Sequence, residues 1–242
     1  SLQFCGLAKG DAKGVQQTFA NRDIRQYGNL SMYIHAENNI KTSNNIKDRD
    51  LNAVIRIGTD FVSNYYEIKI PLYLTPLTAG SSNPNTDAYN DTLWRAINNL
   101  NLDLTVLPKL KQERNLNGVP TRIYRKAQGN GQTYSILGDP NLGEIRGILI
   151  GVENVSNPSA CGEMWVNELR LTSINEEGGY AAMARADITL ADLGTITGSI
   201  STHTTGFGTL EQRVNERYRD NLVQFDVATT LELGKLLPKK AG

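Results

Sequence analysis

The stretch GYAAMARADITLADLGTITGSIS, residues Gly179–Ser201, decides the fold. Along it Tyr180, Ala182, Ala184, Ala186, Ile188 and Leu190 fall on one face of a period-two strand, and Arg185, Asp187 and Thr189 fall on the other. Asp192, Leu193 and Gly194 then supply a three-residue hairpin loop, with glycine for the positive φ that such loops require. That loop predicts Ala191 opposite Thr195, Leu190 opposite Ile196, Ile188 opposite Gly198 and Ala186 opposite Ile200. The apolar residues of both strands, Ile196 and Ile200 included, then share one face. After a polar, charged connection from Thr202 to Asn221, LVQFDVATTLELG (Leu222–Gly234) repeats the pattern. Val223, Phe225, Val227, Leu231 and Leu233 take one side, and Gln224, Asp226 and Glu232 the other.

Tyr180–Leu190 is 11 residues long, and strands of roughly 9 to 11 residues with dyad alternation are what a membrane-spanning β-barrel uses. None of the three strands carries Lys, Arg, Asp or Glu on its apolar face, where a midplane Lys or Arg costs about 2–4 kcal/mol in lipid. An antiparallel sheet with one face on a protein core produces the same alternation. Periodicity alone favours that commoner arrangement.

A resemblance points the other way. GEMWVNELRLT (Gly162–Thr172), EEGGYAAMARADITLADLGT (Glu176–Thr195), TTGFGTLEQRVNER (Thr204–Arg217) and LELGKLLPKKAG (Leu231–Gly242) resemble successive motifs of the SprA/Sov family. Those are very large outer-membrane translocon proteins of the type IX secretion system and gliding machinery of Bacteroidetes. Upstream, DIRQYGNLSMYIHAE (Asp23–Glu37), IRIGTDFVSNYYEIKIPL (Ile55–Leu72) and LKQERN (Leu110–Asn115) resemble motifs of the same family in the same order. The likeness covers essentially the whole chain, with Tyr180 standing where the pattern leads one to expect Trp and no family motif in Thr78–Asn101.

The resemblance implies a fragment of a parent several times longer, whose export signal and remaining barrel strands lie outside this window. Ser1 opens it without Met and without a charged-then-apolar leader. It implies an outer-membrane location and a protein-conducting role without catalysis or cofactor. Lipid then meets Tyr180, Ala182, Ala184, Ala186, Ile188, Leu190, Ile196, Ile200, Val223, Phe225, Val227, Leu231 and Leu233, and the lumen meets Arg185, Asp187, Asp226 and Glu232. The implied partners are the remaining strands of the same barrel, the lipid bilayer, a PorV-like outer-membrane protein, a periplasmic plug protein and secreted cargo proteins bearing a type IX signal. Short turns of such barrels face the periplasm and long connections the outside. Asp192–Gly194 is therefore expected to be periplasmic, Thr172 and Thr202–Asn221 extracellular, and GKLLPKKAG from Gly234 the next periplasmic turn.

Ahead of these strands, residues 1–172 read as a β-sandwich inserted at the outer mouth, and 173–242 as partial barrel. Short β-rich runs are expected at Leu2–Leu7, Val15–Ala20, Asn29–Glu37, Ala53–Asp60, Asn64–Leu72, up to Leu104, and at Thr121–Lys126, Gln132–Leu137, Ile145–Val152 and Glu163–Thr172. Little helix interrupts them beyond a short one over Leu107–Arg114, with Pro108 suited to its first turn. Thr78–Asn90 reads as a long loop. So many short strands make a two-sheet sandwich, of the galactose-binding-like jelly-roll kind, the natural architecture. In its last strand Trp165, Leu169 and Leu171 are expected on one face, and Met164, Val166 and Arg170 on the other.

With 242 residues the chain is long enough for one large or two modest domains. Lys plus Arg and Asp plus Glu both total 25, so there is no basic stripe for nucleic acid. Cys5 and Cys161 match no zinc or redox spacing. The expectation taken is two buried free thiols, with a disulfide as the alternative. His35 and His203 lack metal-ligand neighbours in the sequence, and no nucleophile elbow or phosphate loop is present. Asp48, Asp50 and Asp139 are turn residues or calcium ligands, and Asp91-Thr92-Leu93 matches a short O-glycosylation pattern. The alternative function is a carbohydrate-binding jelly roll on the cell surface, with Tyr65, Tyr89, Trp94 and Tyr124 as candidate contacts.

Overall fold

The computed structural model describes residues 1–38, 46–75 and 86–236. It divides into two units, 1–174 and 175–242.

In the first unit two antiparallel sheets enclose one core. The smaller has the order β1 (Leu2–Ala8), β10 (Ser159–Ile174), β3 (Tyr27–Asn38), β6 (Leu100–Asp103). The larger has the order β2 (Ala12–Arg22), β9 (Ile145–Asn154), β4 (Leu51–Gly58), β5 (Tyr65–Pro71), β8 (Thr133–Leu137), β7 (Tyr124–Ala127). The chain passes repeatedly from one sheet to the other, as in a jelly roll, and the protein is an all-β sandwich. Alternation decides the inner faces. Leu30, Met32, Ile34, Ala36 and Met164 from the smaller sheet meet Ala53, Ile55, Ile57, Tyr66, Ile68, Ile70, Ile136 and Val152 from the larger.

Among the described residues two α-helices interrupt the strands. Helix α1 (Asp87–Leu93) begins where the sequence reads as loop; Thr86 caps it by accepting from the Tyr89 N–H. The rest of the expected loop, 78–85, lies outside the described residues, as do 39–45 of the polar segment after β3 and 237–242 of the last expected turn. Helix α2 (Val106–Asn117) is longer than expected and starts two residues before Pro108, which still sits in the first turn where no amide donor is needed. Its Leu107 and Leu110 enter the core, and the fully buried Arg114 donates to the Gly138 carbonyl and to Asn115 Oδ1.

Two expectations are corrected in this unit. Cys5 and Cys161 form a disulfide instead of remaining free thiols, because β1 lies along β10 with Phe4 opposite Gly162 and Leu7 opposite Ala160. In β10 a bulge at Glu168, with φ of +53°, inserts one residue between the Asn167–Tyr33 and Arg170–Ser31 pairs. The alternation flips across it. Met164, Val166 and Leu171 therefore all pack on the core while Trp165 points outward.

The residues suggested as calcium ligands are engaged in loop bonding. Asp50 accepts from the Lys47 N–H, the Ser156 hydroxyl and Asn157; Asp48 accepts from the Leu74 N–H; Asp139 pairs with Lys111 at 2.6 Å. Among the described residues no group of His, Cys, Asp and Glu side chains is placed to hold a metal ion. Thr92 lies within α1, its hydroxyl donating to the Ala88 carbonyl.

Candidate functional site

The second unit is an open three-stranded meander, β11 (Ala181–Leu190), β12 (Gly194–His203) and β13 (Leu222–Leu231), each strand ten residues long. Ten residues at about 3.3 Å rise span about 33 Å, and a tilt of about 45° reduces that to about 23 Å of height. That matches the apolar band of a barrel wall.

The hairpin loop is Ala191, Asp192 and Leu193, one residue earlier than expected, and Ala191 takes the positive φ of +47°. Leu190 therefore pairs with Gly194, Ile188 with Ile196, Ala186 with Gly198 and Ala184 with Ile200. The glycine at 194 serves a different purpose. Its φ is +154°, and a Cβ there would lie 2.0 Å from the Thr230 carbonyl oxygen on the neighbouring strand.

A register shift of two residues leaves the faces unchanged. Ala182, Ala184, Ala186, Ile188 and Leu190 share one face with Ile196, Ile200, Val223, Phe225, Val227 and Leu231, joined by Gly194, Gly198, Thr202 and Thr229. No charged residue lies on it. Val227 is 72% and Phe225 75% exposed, so no part of this unit covers them. Tyr180 precedes β11 with the same parity, whereas Leu233 lies past the end of β13 in a 3-10 turn.

The opposite face carries Arg185, Asp187, Asp226 and Gln224 among serines and threonines. Asp187 accepts from Arg185 at 3.0 Å and from the Thr197 hydroxyl at 2.8 Å, directly across the strand pair. Gln224 donates to Asp226 at 3.4 Å. Arg185 and Asp187 thus neutralise each other on this face, a charge-assisted pair. Glu232 follows β13 at the hairpin end, its N–H donating to the Leu193 carbonyl at 2.8 Å and its carboxylate 3.5 Å from Lys235.

At the other end the connection 204–221 is a built structure. Gly206 and Tyr218 exchange a backbone bond of 2.7 Å, Phe207 and Tyr218 one of 2.9 Å, and Tyr218 stacks on both Phe207 and His203. A Cβ at Gly179 would lie 2.3 Å from the Phe207 nitrogen, so position 179 has to be glycine for the connection to fold against it. Sequence periodicity has no means of revealing this packing; Gly179 and Gly206, which approach each other's segments, are the signal the sequence offers.

Within the first unit, the candidate sugar contacts are not brought together. Tyr65 is 3% exposed, beneath the Arg56 guanidinium at 4.3 Å, and Tyr124 packs against the core. Trp94 instead joins Tyr33 and Trp165, which are not among the expected sugar contacts, around His35.

No helix among the described residues is long and apolar enough to cross a membrane, which leaves strands untested by that measure. No individually curated protein matches the chain. The family model described as motility related/secretion protein, SprA_N, matches residues 1–242. Matched from its first residue to its last, the chain belongs to the SprA_N family of motility related/secretion proteins.

Proposed function

We propose that residues 175–242 are wall strands of an outer-membrane, protein-conducting translocon of the type IX secretion system, serving protein secretion and gliding motility. The observation that carries this reading is the three-stranded sheet: one face uncharged, apolar and uncovered, the other polar, with Arg185 and Asp187 paired on it. An open sheet of three strands leaves both edges unpaired, so it calls for further strands of the same barrel. Membership of a motility and secretion family supports the same assignment. The Cys5–Cys161 disulfide suits an oxidising compartment beyond the cytoplasm.

On this reading the apolar face meets acyl chains, and Arg185, Asp187 and Asp226 line a water-filled passage for cargo bearing a type IX signal. The sandwich stands on the extracellular side. A PorV-like barrel protein and a periplasmic plug are its partners, and the chain itself performs no catalysis.

Cysteine labelling tests the topology. Because Cys5 and Cys161 are paired, single cysteines can be introduced into the full-length protein as Ser173→Cys, Asp192→Cys and Glu211→Cys. A membrane-impermeant maleimide added to intact cells is expected to modify the first and third and to reach Asp192→Cys only after the outer membrane is permeabilised. The opposite pattern inverts the orientation. Equal labelling of all three in intact cells removes the wall assignment.

A further inference from the structure

On the outer face of the four-stranded sheet, away from the core, side chains of neighbouring strands form one continuous row. His35 stands opposite Trp165, Tyr33 opposite Asn167, and Glu37 opposite Glu163. Trp94, at the end of α1, closes the row: its ring lies 6.3 Å from Tyr33 and 5.9 Å from His35, and His35 lies 6.3 Å from Trp165. Trp165 is 46% and Tyr33 40% exposed. Two large aromatic rings therefore face solvent on a sheet whose other face already fills the core.

The rings are held in place. His35, only 5% exposed, is wedged between the two tryptophans, its Nδ1 2.9 Å from the Leu93 carbonyl oxygen and 2.8 Å from the Thr75 hydroxyl. Its Nε2 lies 3.4 Å from Glu37. With their support fixed, the exposed rings give up little freedom when something stacks on them. The rim is polar and acidic. Glu37 and Glu163 face each other across the strands, an arrangement that costs stability when nothing lies between like charges, and Gln3 donates to Glu163 at 3.3 Å. The cations nearby are engaged: Arg170, over the Tyr33 ring at 5.9 Å, pairs with Glu168 at 2.5 Å, Lys13 donates to the Gln3 carbonyl at 3.0 Å, and Arg95 donates to the Leu74 carbonyl at 2.8 Å.

These features select a ligand class. The two carboxylates repel phosphates, nucleic acids, anionic lipid and acidic peptides. A neutral polyol suits them, since carboxylate oxygens accept hydroxyl hydrogens while the amides of Gln3 and Asn167 both donate and accept. Flat aromatic faces suit the axial C–H face of a pyranose ring, which is apolar. We propose that Tyr33, Trp94 and Trp165 form a binding shelf for a neutral, pyranose-based glycan, Trp165 and Tyr33 stacking on the sugar and Glu37, Glu163 and Asn167 taking its hydroxyls. The shelf belongs entirely to residues 1–174, so it stands or falls independently of the translocon reading.

The test uses the full-length protein in lipid nanodiscs, titrated by biolayer interferometry with cellohexaose, laminarihexaose, mannohexaose and, as the rival cation, octalysine. At least one neutral hexasaccharide is expected to bind saturably. Trp165→Ala and Tyr33→Ala each weaken that binding by about tenfold or more, Trp165→Phe keeps it within about threefold, and Val62→Ala, in an exposed loop elsewhere, leaves it unchanged. The conservative Trp165→Phe variant separates lost stacking from misfolding. The proposal is overturned by either of two results: none of the hexasaccharides saturates, or binding survives Trp165→Ala undiminished. It is equally overturned if octalysine is the only probe whose binding depends on Trp165.

Discussion

Replacing Val227 by Arg puts a charge in the middle row of the three-stranded sheet. Val227 pairs with Gly198, which pairs with Ala186, and each stands near the midpoint of its ten-residue strand. With strands rising about 3.3 Å per residue and tilted about 45°, that row lies about 9–12 Å from the two ends of β13 and, on the wall-strand reading, deep in the apolar band. An arginine there has no short route to the headgroups. The expected cost is about 2–4 kcal/mol, falling to about 0–1 kcal/mol for Leu231→Arg at the strand end. At 1.4 kcal/mol per factor of ten, the midplane substitution lowers the folding equilibrium by a factor of about 30 to several hundred. Ala228→Arg, one residue along but on the polar face opposite Thr197, is expected to cost almost nothing. Urea titration of the full-length protein folded into lipid vesicles measures all three. The reasoning fails if Val227→Arg and Ala228→Arg shift the midpoint equally, or if the second shifts it more.

Three further outcomes follow from the sandwich. Cys161→Ser opens a loop of 156 residues and is expected to remove up to about 5 kcal/mol, seen as a lower denaturation midpoint that matches the reduced wild type; an unchanged midpoint contradicts it. Gly138→Ala demands φ of +68° from a residue with a Cβ and places that carbon 1.9 Å from the Ser63 carbonyl oxygen, so the variant is expected to lose about 3 kcal/mol or more or to fail to fold, and wild-type thermal stability would refute the clash. Burial by itself pushes the Asp60 carboxyl up, but the N–H groups of Ser63, Asn64 and Val62 and the Asn64 amide outweigh it and bring the pKa from 3.8 down to about 2. A depressed carboxyl stabilises the fold above its unfolded value and loses that contribution as pH falls through the folded one. The stability gap between wild type and Asp60→Asn is therefore expected to shrink between pH 4 and pH 2, and a constant gap would count against the bonded loop.

The faces of β11, β12 and β13 were legible in the sequence because a period of two survives a loop placed one residue off: the register moved by two and no side chain changed sides. The same logic failed in β10, where the bulge at Glu168 inserts one residue and nothing in WVNELRLT announces it. The first half of helix α1 reads as loop because Gly, Ser, Asn and Pro dominate the segment before it; the Thr86-Asp87 start is the cap signal in the sequence. The disulfide depends on β1 and β10 lying side by side across 156 residues, a fact of topology that no spacing encodes. Likewise the aromatic shelf exists only once β3, β10 and the end of α1 meet, and so Tyr33 and Trp165 looked like ordinary strand residues.

The most direct measurement is a spin-label scan of residues 222–231 in the full-length protein reconstituted in bilayers, reading collision with oxygen, which partitions into lipid, against a water-soluble nickel chelate. Labels at Val223, Phe225, Val227, Thr229 and Leu231 are expected to favour oxygen, and those at Gln224, Asp226, Ala228 and Thr230 the chelate, alternating along the whole strand. The reverse phase, or odd-numbered positions shielded from both reagents as in a protein core, would contradict the account.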